Sequence, residues 1–298
     1  MDIAPYCLLA LTSLFWSFNV IIGKILSVAM PPATINFFRW LLPFVILFLW
    51  SWKEIREQAG VFLAKWPLIL FLGATGYCFN SIGMYEAVRF TTAINTSVIN
   101  AFNPALIALT AYVLNHERVS RKELFGFILS LIGVLWIIFE GNLSQAMRLR
   151  VNVGDLSMVM SMTIFSIHTV IYKKKSSGFS ERPMFALMMS GGLLLTLPLA
   201  LLESQAAHWS SLSTVGTVDV IAILCLNIFP SLLAYQFWNR AIKKVSANRA
   251  AAFLYLIPVY TSIISILFLG EKLRLFQIVG GLLIFIGVLL VTHVRNKD

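Results

Sequence analysis

The chain has 298 residues, of which 59% are hydrophobic and 12% charged, with a mean hydropathy of +0.84. Soluble domains carry roughly 45–50% apolar residues, so this composition excludes a water-soluble globular fold and makes the bilayer the expected solvent. The formal net charge is +10, a value that raises nucleic-acid binding until the cations are placed along the chain.

A membrane-spanning helix needs about 20 mainly apolar residues, and ten such stretches follow one another. Span 1 covers Ala4–Val28 and places Thr12, Trp16, Asn19 and Gly23 on one helical face. Met1-Asp2-Ile3 lacks the basic leader of a signal peptide, so this span is expected to stay in the protein. Span 2, Pro32–Trp50, carries Arg39, the one basic residue deep in a span. Span 3, Trp66–Tyr85, brings Tyr77, Asn80 and Met84. Span 4, Thr92–Leu114, carries a polar stripe of Thr96, Asn100, Asn103 and Thr110 around Pro104. Proline removes a backbone hydrogen bond, here that of the Asn100 carbonyl, so the helix is expected to kink. Glu117 closes this span beside Arg118, its expected partner, and Ser120-x-x-Glu123 reads as a capping box opening span 5, Leu124–Ile138.

Span 6, Gly154–Tyr172, opens with Asp155 at a helix start and sets Ser161, Phe165, His168 and Tyr172 at the same spacing as the span 1 stripe. Span 7 is Phe185–Leu202, and span 8, Val218–Trp238, offers Ser231, Tyr235 and Trp238, with Asn239 just beyond. Span 9, Ala247–Leu269, has Ala251, Tyr255, Ser262 and Ser265 around Pro258, whose missing N–H frees the Leu254 carbonyl. Span 10 is Leu275–Val294. Cys7, Cys78 and Cys225 all fall within spans and read as small core residues, with neither a disulfide framework nor a thiolate metal site.

The two halves are copies. Ala87, Ala93, Pro104, Glu117, Gly126 and Gly133 recur 154 positions on as Ala241, Ala247, Pro258, Glu271, Gly280 and Gly287. Because each half holds five spans, an odd number, the second copy enters the membrane from the opposite face, as in inverted-repeat transporters. The repeats are expected at residues 1–143 and 152–295. Glycines spaced by seven on spans 5 and 10 form a small-residue seam suited to close packing, within the chain or between copies of it.

Sixteen of the 23 cations fall in loops after even-numbered spans or at the C-terminus, six in the last turns of odd-numbered spans or the loops that follow them, and Arg39 completes the count. The positive-inside rule then puts both termini in the cytoplasm, and the basic excess is topological rather than a nucleic-acid patch.

Leu14-Phe15-Trp16-Ser17-Phe18-Asn19, Phe38-Arg39-Trp40, Gly154-Asp155-Leu156 and the doubled Ala…Pro…Glu…Gly run together resemble the drug/metabolite transporter superfamily, specifically a tandem EamA-type permease. The resemblance covers essentially the whole chain. It implies an all-α integral membrane fold with a central cavity lined by spans 1, 3, 4, 6, 8 and 9, and a carrier that exports or exchanges small metabolites, often amino acids. It also implies a bacterial inner (plasma) membrane location.

Polar groups facing lipid would lack partners, so the stripes should face a cavity or neighbouring helices. The expected substrate-binding residues are Trp16, Asn19, Tyr77, Asn80, Asn100, Asn103, Phe165, His168, Tyr235, Trp238 and Tyr255, with Pro104 and Pro258 as hinges. Trp16 and Asn19 match Phe165 and His168 at an offset of 149 residues. For Asn19 and His168 a purely helix-gluing role stays open. His168 is also the candidate for carrying a coupling proton, since imidazole titrates near neutral pH. The resemblance places span 2 outside the cavity, and Arg39 reads as a structural residue bonded to a carboxylate or to carbonyls. With so little fixed charge in the spans, a neutral, zwitterionic or aromatic metabolite fits better than a polyanion.

An intramembrane enzyme would need a catalytic set, and neither His-Glu-x-x-His nor Gly-x-Ser-x-Gly is present. No cofactor or catalytic residue is expected. A channel or a non-transporting receptor shares the same hydrophobic helices, and the inverted repeat favours the carrier over both.

Overall fold

In lipid, long apolar runs can satisfy their backbone hydrogen bonds only by coiling into helices or closing into barrels. The computed structural model describes residues 3–90, 99–142, 144, 152–206, 216–269 and 274–292, and among these there are helices and turns but no strand. The helices are α1 (Ala4–Ala29), α2 (Pro32–Glu57), α3 (Ala59–Ala64), α4 (Trp66–Phe90), α5 (Asn103–Asn115) and α6 (Arg121–Ile138). They continue as α7 (Val153–Lys175), α8 (Glu181–Ala206), α9 (Thr217–Ile242), α10 (Ala247–Ala252), α11 (Leu256–Leu269) and α12 (Leu275–Thr292). Seven of them, α1, α2, α4, α7, α8, α9 and α12, are long and apolar enough to cross a membrane. The protein is a multi-pass membrane protein.

The fourth and ninth expected spans change helical pitch beside their prolines while the backbone stays helical. Ala101 and Phe102 form a turn before α5, and Pro104 sits in the first turn of that helix, where its missing N–H costs nothing. In the second half a tight 3-10 turn, Phe253–Tyr255, separates α10 from α11, and Pro258 lies in the first turn of α11. Thr96, Glu271 and Lys272 lie outside the described residues, as do the side chains of Ser262 and Ser265.

Two helices contain wide π turns, Ala74–Phe79 in α4 and Asn227–Leu233 in α9. The 154-residue offset carries the first onto the second. Such turns leave carbonyls that neighbouring side chains can satisfy. In α4, Tyr235 donates to the Gly76 carbonyl at 3.3 Å, Asn36 to Tyr77 at 2.9 Å, and Ser161 to Asn80, just past the turn, at 2.6 Å. In α9 the Pro230 carbonyl accepts from Trp16 Nε1 at 3.1 Å.

Helix pairing follows a regular scheme. α1 packs on α9 and α11, and α7 packs on α4 and α5; α2 lies against α8, and α6 against α12. The last pair runs antiparallel along the glycine seam, so the seam lies within the chain. A Cβ added to Gly126 would stand 2.7 Å from the Gly287 carbonyl, and one at Gly133 2.7 Å from that of Gly280. Helices in lipid gain little from apolar burial against each other, so this backbone contact is what small residues contribute.

The ends of these elements follow local chemistry. Ser120 and Glu123 form a reciprocal capping box at the start of α6, and Asn152 and Asp155 form another at the start of α7. Glu117 pairs with Lys173 at 2.7 Å across α5 and α7, not with its neighbour Arg118, because the left-handed turn at His116 carries it toward α7. The outer surface is apolar, with Trp50, Trp52 and Trp66 exposed near the α2–α4 connection as an interfacial belt. Cys78 is buried and Cys225 half-buried, but Cys7, expected in the core, faces outward.

Candidate functional site

The buried stripe of α2, through Ile35, Asn36, Arg39, Trp40, Pro43 and Leu47, turns away from the exposed Phe38, Leu42, Val45 and Ile46. That periodicity aims Arg39 inward. It lines a cavity together with Trp16 and Asn19 of α1, Asn80, Ser81 and Met84 of α4, and Asn100 and Asn103 beside the change of pitch in the fourth span. Met158, Ser161, Met162 and Phe165 of α7, Tyr235 of α9, and Leu254 and Ile257 complete the wall. The cavity volume is about 80 Å³, below the roughly 300–1,000 Å³ of sites that enclose a small molecule, so a solute would need the wall to part.

Part of the wall is a cluster of aromatic rings. Trp16 meets Phe165 at 5.6 Å, Tyr235 at 5.3 Å and Trp238 at 5.2 Å between ring centroids. Trp40 stands edge-on to both Tyr77 and Tyr235 at 4.9 Å. These offset and edge-on geometries are the favoured ones for aromatic pairs.

The polar part is a connected chain. Arg39 Nη1 donates to the Tyr85 hydroxyl at 2.9 Å, and that hydroxyl donates to Asn19 Oδ1 at 3.0 Å. Arg39 Nε donates to Ser231 Oγ at 2.6 Å and Nη2 to the Pro230 carbonyl at 3.5 Å. Asn80 Nδ2 donates to the Tyr235 hydroxyl at 3.4 Å, while its Oδ1 accepts from Ser161 at 3.0 Å.

Of the residues expected at the site, Trp16, Asn19, Asn80, Asn100, Asn103, Phe165 and Tyr235 meet at this cavity. Tyr77, His168, Trp238 and Tyr255 do not line it. Tyr77 is fully buried behind the wall, where Asn239 Nδ2 donates to its hydroxyl at 3.1 Å. His168 lies against Gly76, with Nδ1 3.4 Å from Thr75 Oγ1 and its ring stacked 6.0 Å from Tyr172, because the missing side chain at Gly76 leaves room for an imidazole. Trp238 packs behind the aromatic wall against Trp16, and Tyr255 borders a separate apolar crevice between α5 and α6. The expected placement of Arg39 outside the cavity is corrected: α2 packs close enough for its guanidinium to reach the wall. Met158 and Met162 belong to the same i, i+4, i+7 stripe as Phe165 and were legible by spacing. Ser81 and Leu254 carry no such signal.

A helical membrane bundle with an amide- and aromatic-lined cavity has the build of a membrane transporter. The profile of the EamA-like transporter family matches twice, over residues 3–139 and 152–293, and the chain belongs to that family. A protein of Archaeoglobus fulgidus described as an uncharacterized transporter is 27% identical over 100% of both chains. A "Probable amino-acid metabolite efflux pump" of Salmonella typhimurium is 26% identical, covering 92% of this chain and 89% of its own. A protein of Bacillus subtilis described as the uncharacterized transporter YyaM is 26% identical over 80% of this chain and 74% of its own. A solved crystal structure superposes with a TM-score of 0.74 at 17% identity, covering 96% of this chain and 95% of that one, and so shares the fold.

Proposed function

We propose that this protein carries small organic metabolites across the cytoplasmic (inner) membrane by alternating access, as an exporter or exchanger, with both termini in the cytoplasm. Ten spans form two inverted five-helix repeats, residues 1–143 and 152–295. The observation that carries the reading is the cavity itself: residues from both halves build it, and Trp16 and Phe165 on its wall pack against each other and against Trp238. The pairing of helices supports the repeats, since exchanging the halves maps α1 on α9 onto α7 on α4, and α1 on α11 onto α7 on α5. Rocking one half against the other would expose the cavity to each side of the membrane in turn.

The substrate class is a neutral, zwitterionic or aromatic metabolite such as an amino acid. Trp16, Phe165 and Tyr235 suit an apolar or aromatic group, while the amides of Asn19, Asn80, Asn100 and Asn103 suit polar ends. The name of the Salmonella relative points to the same class. Pro104 and Pro258 are the proposed hinges, because each lies in the first turn of the helix that follows a change of pitch. Coupling to protons through His168 is a secondary reading that rests on the titration of imidazole near neutral pH, and the burial of the ring weighs against it.

The test is a metabolite uptake screen in proteoliposomes, run with and without a pH gradient. Saturable uptake of one solute class is expected. Uptake indistinguishable from protein-free vesicles for every solute, or turnover of a solute into a new compound, would contradict the carrier reading.

A further inference from the structure

Arg39 is 1% exposed, yet it reaches the cavity wall. Among the described residues lining that cavity it is the one ionised side chain; no aspartate or glutamate joins it. Its hydrogen-bond acceptors are neutral: the Ser231 hydroxyl, the Tyr85 hydroxyl and the Pro230 carbonyl. These take three of the five N–H donors a guanidinium presents. The rings of Trp40, Tyr85 and Tyr235 lie 4.9, 5.8 and 5.9 Å from its central carbon and supply quadrupole stabilisation, not a full negative charge. A guanidinium removed from water without a carboxylate partner is costly, and its planar fork matches a carboxylate in two parallel hydrogen bonds. A second feature has the opposite sense. Asn103 lines the same cavity, and its Oδ1 is buried with no hydrogen-bond partner among the described residues. An unused acceptor there suits an ammonium group.

We propose that Arg39 binds the carboxylate of the transported solute and that Asn103 receives its ammonium group, so that the cavity selects α-amino acids. This rests on the transport reading above and sharpens its substrate class. The aromatic wall then takes the side chain, and amines without a carboxyl group are rejected because they would bring a second cation to Arg39.

Purified protein in lipid nanodiscs is titrated with the proteinogenic L-amino acids, by equilibrium binding and by melting temperature. The best binder is then compared with its amide, with the amine lacking the carboxyl group, and with the acid lacking the amino group. The amide and the amine should bind at least about thirty-fold more weakly than the amino acid, in line with loss of one partner of a buried charge pair. Arg39→Gln should erase that preference and Arg39→Lys should keep part of it. Asn103→Ala should weaken the amino acid but not the acid lacking the amino group. A structural role alone would lower the melting temperature of Arg39→Gln while leaving the acid-to-amide ratio unchanged. If that variant does not fold, the wild-type comparison and Asn103→Ala still decide. Equal binding of amide and acid, or no amino-acid binding up to about 10 mM, would overturn the proposal. Counterflow of an amine or a neutral solute in that event would leave the transport reading standing, whereas its complete absence would count against that reading instead.

Discussion

The indole of Trp16 stands edge-on to the ring of Phe165, centroids 5.6 Å apart and planes at 82°, so residues from the two halves of the chain meet at the cavity wall. The indole N–H of Trp16 is held by the Pro230 carbonyl, which fixes the ring in that wall. Trp16→Ala should therefore weaken solute binding about tenfold or more, since large aromatic anchors dominate such sites. The variant should still insert and purify. Affinity and melting temperature measured on the same samples check this: a fall in melting temperature with unchanged affinity would make Trp16 a packing residue only.

The glycine seam between α6 and α12 gives a contrast within one helix. A Cβ at Gly287 would enter the space of Ser130 and of the Gly126 carbonyl, whereas a Cβ at the neighbouring Gly281 would meet nothing within 4 Å. Gly287→Ala should lower stability by about 1–3 kcal/mol, the usual cost of overpacking, and Gly281→Ala should be silent. Melting in detergent for both variants tests the contrast, and equal melting temperatures would contradict it.

Pro104→Ala and Pro258→Ala return a backbone donor to helices that now begin near those residues. Each should insert normally but transport more slowly, because the restored donor favours a continuous helix where the proposed hinge lies. Unimpaired transport by the double variant would show the changes of pitch to be incidental.

Reporters fused after Gly178 and after Ser210 should lie on opposite sides of the membrane, the first in the cytoplasm. The sixteen-to-six division of cations requires it. Both reporters on one side would dismantle the ten-span arrangement.

The long helices were legible because the bilayer demands long apolar runs, and the capping box at Ser120 and Glu123 because it is local chemistry. What stayed hidden depends on packing across helices. The π turns at Ala74–Phe79 and Asn227–Leu233 follow from neighbours that supply donors to displaced carbonyls, and no local pattern announces them. Asn19 and His168 occupy matching positions in their stripes, yet Asn19 lines the cavity while His168 fills the space left by Gly76. Arg39 could have been aimed inward from the stripe of Asn36, Trp40, Pro43 and Leu47, but whether the stripe met the cavity or another helix could be known only from the fold. The partner of Glu117 was likewise unreadable, because Lys173 is 56 residues away in sequence.

The central claim, that this protein is a carrier rather than a pore or a receptor, is tested most directly by counterflow. Proteoliposomes are loaded with an unlabelled solute identified in the uptake screen, and entry of the same labelled solute is followed from outside. A carrier that must reorient its cavity at each crossing should show labelled uptake stimulated by internal unlabelled solute, and Trp16→Ala should diminish it. Flux that rises linearly with concentration and ignores the internal solute would contradict the account.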